Sequence, residues 1–327
     1  MTAPLPTITF IVSIAFVAAC SGSPTPPAQT PTASSASSAS SAPSASSAPS
    51  APSAPSAPSA AYGANAAASG TFTHDGVKLY FETYGEGEPL LLVHGNGQSI
   101  GSMAAQIDFF KTHRKVVAMD SRDHGRSADS DGPITYEKMT DDLAALIDHL
   151  ALGPVDVIGW SDGGIEALLL GVRHPAKVRK LVSMAANLNP GTKAIYEETD
   201  ALVRQLLAGM PAAERNTPEG KRAVKVTGMM LKEPNIDPGL LAKVSAPTLV
   251  LAGDHDLIRT EHIVEIYNHL PNAQLAIFPG STHLVPFDDP ELFNGTVERF
   301  LTTPFVKKDR IQDAMKSLEK LQAGLAR

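Results

Sequence analysis

From residue 76 onward the chain alternates short apolar runs with stretches of helical spacing. "GVKLYFETYG" (76–85) reads as a strand after a turn, and "PLLLVHGNG" (89–97) as a buried strand running into glycines. "KVVAMDSRDHGRS" (115–127), "PVDVIGW" (154–160) and "KVRKLVSMAA" (177–186) repeat the form, as do "PTLVLAGDHD" (247–256) and "AQLAIFPGSTH" (273–283). Between them, Met139, Leu143, Leu146 and Leu150 recur at helical spacing, and a last body helix starts near Pro290. Apolar strands without polar alternation, separated by helices, predict a mostly parallel sheet covered on both faces. In such a sheet the reactive loops belong at the C-terminal ends of the strands.

Two segments break the alternation. Residues 188–244 are helical and methionine-bearing, and their position predicts a small cap over the site. In the tail, residues 304–327, Ile311, Met315, Leu318 and Leu321 fall on one helical face, which predicts a helix packed on the body or against a second copy.

Composition divides the chain. All 27 basic and 34 acidic residues lie from Asp75 onward. Before it, residues 8–20 ("ITFIVSIAFVAAC") have the shape of a signal-peptide core, shorter than the roughly 20 residues that span a bilayer. Residues 21–70 are dominated by Ser, Ala and Pro, including "SAPSAPSAPSA". That segment has too little apolar surface to offset its ordering entropy, and reads as an extended tether. The α/β domain is therefore expected over residues 71–303. A net charge of -7 argues against a nucleic-acid surface.

The chemistry is concentrated at "VIGWSDGG". Gly159-Trp160-Ser161-Asp162-Gly163 fits G-x-S-x-G between a strand and a helix. There a serine occupies a sharp turn, and glycines flank it because a Cβ would collide where strand and helix close together. A hydroxyl nucleophile needs a base, and the base needs an orienting acid. "LVLAGDHDLI" offers Asp256 and Asp254; its resemblance to hydrolases that carry the acid three residues after the strand-ending glycine implies Asp256, and Asp254 reads as a turn carboxylate. "FPGSTHLVPF" supplies His283 in a loop before a helix. Oxyanion donors are expected from the backbone N–H of Asp162 and of Asn96 in "VHGNG". "GNGQSIG" misses the dinucleotide register by one residue, and no His/Cys cluster has metal spacing, so no cofactor and no metal are expected.

Together "VHGNG", "MDSRDHGRS", "GWSDGG", "GDHDLI" and "GSTHLVPFDDPELF" resemble the α/β-hydrolase superfamily over residues 72–302. "GWSDGGIEALLLGVRHPAKVRKLVSMAAN" is most similar to biphenyl hydrolase-like, valacyclovir hydrolase-type enzymes. That resemblance implies a second role for Asp162, binding a substrate ammonium group with Asn187 nearby. The alternative is that Asp162 simply favours the helix dipole. Many relatives have glycine where this chain has Asp123, which implies a positive φ there. Val17-Ala18-Ala19-Cys20 resembles a bacterial lipobox, implying a lipid anchor on Cys20 and a protein exported to the cell envelope.

The reading that results is a serine hydrolase of small carboxylic esters. Amino-acid esters and a carbon–carbon bond hydrolase with the same three residues remain open alternatives. The contrasting class is a surface-displayed binding protein on a hydrolase scaffold.

Overall fold

The computed structural model describes residues 61–325. The signal segment, Cys20 and most of the expected tether lie outside the described residues. The strands are β1 (Ser69–His74), β2 (Val77–Tyr84), β3 (Pro89–Val93), β4 (Lys115–Asp120), β5 (Val155–Trp160), β6 (Val178–Met184), β7 (Thr248–His255) and β8 (Ala273–Thr282). They form one sheet in the order β1-β2-β4-β3-β5-β6-β7-β8. β1 and β2 pair antiparallel, as do β2 and β4, and every later pairing is parallel. The central strands β3, β5 and β6 bury β-branched and leucine side chains on both faces, which is why they read as mostly apolar runs, broken only by Asp156 in β5 and by Arg179, Lys180 and Ser183 in β6.

The helices are α1 (Ala104–Phe110), α2 (Tyr136–His149), α3 (Asp162–Arg173), α4 (Glu197–Gly209), α5 (Ala212–Arg215), α6 (Pro218–Met229), α7 (Thr260–His269), α8 (Val285–Asp288), α9 (Pro290–Thr302) and α10 (Arg310–Leu325). α1 packs with α9, whereas α2 packs with α3, and a 3-10 turn at Pro238–Lys243 joins α3 to α7. The sheet lies between these two helical layers, and its core is one continuous apolar cluster. Thr135 caps α2 through its side chain, and Asp289 caps α9.

One boundary differs from expectation. The folded body begins before residue 70: β1 starts at Ser69, and the chain ahead of it is held by the fully buried Glu82. That carboxylate accepts bonds from the N–H of Gly63 and Asn65, both at 2.8 Å, and from the hydroxyls of Tyr80 and Tyr84 at 2.6 and 2.7 Å. Apolar periodicity could not show this, because the segment docks through these polar contacts and the single ring of Tyr62, which meets Tyr84 edge-on, not through a repeating apolar face. α10 does not bury its apolar face on the body: Ile311 is 74% exposed and Leu321 60%, which leaves the expectation of contact with a second copy open.

Between β6 and β7 lie α4, α5 and α6. α6 is tied to the loops that follow β3 and β4, at the strands' C-terminal ends. Lys225 donates to Asp123 at 2.8 Å, Arg222 pairs with Asp129 at 2.6 Å, and the carbonyl of Val226 accepts from Asn96 at 3.1 Å. Asp123 has the expected positive φ, 61°, and its carboxylate also receives both the N–H and the hydroxyl of Ser130.

Candidate active site

Ser161 sits at the junction of β5 and α3 with φ 58° and ψ -119°, a conformation that strains a side-chain-bearing residue. The surrounding backbone imposes it. The Ser161 N–H donates to Met184 on β6 at 2.9 Å, and its carbonyl accepts from Gly164 and Ile165. The flanking glycines are required by close approach: a Cβ on Gly159 would lie 1.9 Å from the Gly163 carbonyl oxygen, and one on Gly163 would lie 2.2 Å from that of Val93. Strand and helix therefore meet with no room for a side chain, and the serine is pushed above the sheet edge.

The structure brings His283 and Asp256 to it. His283 Nε2 lies 2.9 Å from Ser161 Oγ, and His283 Nδ1 lies 2.7 Å from Asp256 Oδ1. Asp256 is buried in the turn after β7, where it accepts from the N–H of Ile258 at 3.1 Å and of Gly253 at 3.3 Å. Those bonds leave the carboxylate one direction in which to meet the imidazole. Trp160 fixes the other side of His283: its indole N–H donates to the His283 carbonyl at 2.8 Å, and the two rings lie 5.6 Å apart. Asp254, the alternative acid, is turned outward. Its oxygens accept from the N–H of Gly280 and Ser281, both at 3.0 Å, so it binds the β7 and β8 ends together. The Gly280 bond, with help from His255 and Ser281, holds its pKa down at about 2.

The loop after β3 closes against the serine. A Cβ on Gly95 would come within 3.1 Å of Ser161 Cβ and 2.8 Å of the Trp160 ring, so only glycine lets this loop approach. Asn96 follows immediately. The loop is held by buried His94, whose Nδ1 bonds the Gly95 carbonyl at 2.9 Å and whose Nε2 accepts the Ser121 N–H at 3.1 Å. Accepting at Nε2 requires the neutral ring, and burial favours the same form by lowering its pKa. Asp162 opens α3, where the first-turn N–H groups have no intrahelical partner. An N–H from each of these two segments is thus available beside Ser161.

The side chains of Asp162 and Asn187 have different hydrogen-bond partners. Asp162 is buried; its Oδ1 accepts from Tyr136 Oη and its Oδ2 from Asn96 Nδ2, both at 2.8 Å. Burial pushes its pKa up to about 6, against the opposing effect of those two donors. Asn187 is half-buried, and its amide donates to the carbonyl of Asn189 at 2.9 Å.

Sequence reasoning missed Tyr136 and Glu166. Nothing local distinguishes Tyr136 from any helix-opening aromatic residue. Glu166 did carry a signal, an acid inside the apolar run "GGIEALLLG" one turn beyond Asp162. It is fully buried, neither carboxyl oxygen has a hydrogen-bond partner, and burial lifts its pKa well above the ordinary range. Burial therefore disfavours the charged form of Glu166, and the neighbouring Asp162 acts in the same direction.

Known proteins agree with this architecture. Residues 88–223 match the family model for the alpha/beta hydrolase fold. The mouse protein "Serine hydrolase BPHL" is 29% identical over 259 residues, covering 72% of this chain and 87% of its own length. 3-Oxoadipate enol-lactonase 2 of Acinetobacter baylyi is 24% identical over 254 residues, covering 70% and 94%. A hydrolase from Pseudomonas aeruginosa PA01 superposes with a TM-score of 0.61 at 26% identity, over 73% of this chain and all of that one. Strand order and matches together give the chain the α/β-hydrolase fold, and the proteins it resembles include hydrolases.

Proposed function

We propose that the protein hydrolyses carboxylic esters of small molecules through an acyl-enzyme on Ser161. The observation that carries this is the hydrogen-bonded chain from Ser161 Oγ through His283 to Asp256, with 2.9 and 2.7 Å links, on a strained turn at the strand ends. His283 takes the hydroxyl proton as Ser161 attacks the carbonyl, then returns it to the leaving alcohol. Water reverses the sequence in deacylation. Asp256 keeps the proton on Nδ1 and stabilises the imidazolium that forms. The N–H groups of Asp162 and Asn96 receive the developing oxyanion. The enol-lactonase among the relatives supports ester chemistry, since a lactone is a cyclic ester.

The direct test is labelling with a fluorophosphonate, which phosphonylates activated serines. The expected result is one adduct per chain, mapped to the peptide containing Ser161 and formed more slowly when a short-chain ester is present in excess during labelling. A full-length protein that hydrolyses no ester and takes no label would leave the binding-protein reading in its place.

A further inference from the structure

The side chains of Asn96 and Asp162 are linked to each other, although neither residue needs its side chain to offer a backbone N–H. Asn96 Nδ2 carries two hydrogens. One goes to Asp162 Oδ2 at 2.8 Å and the other to the Val226 carbonyl on α6 at 3.1 Å. The other Asp162 oxygen is held by Tyr136 Oη at 2.8 Å, on the first residue of α2. The carboxylate therefore lies at a node joining the serine turn, the loop after β3, α2 and α6. Both of its oxygens already accept a hydrogen bond, and the residue is only 3% exposed. An ammonium group arriving with substrate would have to reach a carboxylate that its surroundings cover almost completely.

We infer that Asp162 is a positioning residue, whose carboxylate holds Asn96 so that the two backbone N–H groups converge on the oxyanion and α6 stays tied to them. The inference rests on the serine-hydrolase reading above. It predicts that hydrogen-bond acceptance at position 162 matters more than negative charge. Asparagine there preserves the pattern: its oxygen can accept from Asn96, and its nitrogen can donate to the Tyr136 hydroxyl, which also accepts.

The test uses paired esters with and without an α-amino group. Asp162→Ala is expected to lower kcat on the order of 10²-fold for both esters, with little change in KM, because a displaced oxyanion donor acts on the transition state. Asn96→Ala should match it, and the double variant should fall no further, as one shared contact requires. Asp162→Asn should recover at least about tenfold of the loss. Asn96→Ala keeps the test open should Asp162→Ala fail to fold, since Asn96 is only half-buried. Losses that multiply in the double variant would overturn the inference. So would an Asp162→Asn variant as poor as Asp162→Ala, with its loss confined to the KM of the amine-bearing ester. Ser161→Ala separates the two readings. If it stays active, the serine mechanism fails; if it is inactive while Asn96→Ala and Asp162→Ala are unimpaired, only the positioning role fails.

Discussion

Ser161→Ala lowers kcat/KM for ester hydrolysis by about 10⁵- to 10⁶-fold, and His283→Ala falls to the same floor. The reason lies in the coupling of the two side chains at 2.9 Å. An unactivated hydroxyl or an imidazole without its nucleophile does little, so losing either removes the shared step. The double variant is then no worse than either single one. Asp256→Asn is milder, at about 10⁴-fold, because His283 keeps its place against Trp160 while its preferred tautomer is lost. Protein stability should hardly change in Ser161→Ala, since that side chain makes no cap bond to α3. Steady-state kinetics with matched circular dichroism decides the matter. Retention of more than about one per cent of activity in Ser161→Ala would remove this residue from the chemistry.

The largest stability effect is expected away from the site. Asp142→Ala costs about 3–5 kcal/mol, because it strands a buried guanidinium. Arg122 is 2% exposed and forms two parallel bonds to Asp142, at 2.6 and 2.7 Å; Asp142 is itself fully buried and also meets His74 Nδ1 at 2.7 Å. That cost is a large part of the 5–15 kcal/mol typical of whole domains. Urea titration of the two proteins should show a lower midpoint at unchanged slope. A difference under about 1 kcal/mol would mean the pair behaves like an exposed one. Replacing both residues with apolar ones of matched volume should recover much of the loss.

What the sequence made legible follows from which interactions are local. Strands β2 to β8 were readable because each is an apolar run with its own turn signals. β1 was not: "SGTFTH" buries only Phe72, and it becomes a strand by pairing with β2. Ser161, Asp256 and His283 could be named because each follows a strand end in a fixed chain order, which the fold converts into proximity. The Asn96–Asp162–Tyr136 node could not, since it joins positions on three different elements and depends on how α2 and α6 close over the turn. The apolar stripe of α10 was legible, but not its exposure, because periodicity records an amphipathic helix and not what covers it.

Trp160 is the single tryptophan of the chain, and it lies in ring contact with His283. Excitation of the indole therefore reports from one place, the neighbourhood of the imidazole. Protonated imidazole quenches indole emission more strongly than the neutral ring. The protein thus carries an intrinsic fluorophore beside the group that, in the proposed mechanism, gains and loses a proton in each half-reaction. Stopped-flow fluorescence, excited at the red edge where the six tyrosines do not absorb, would follow the proposed acylation and deacylation without any dye.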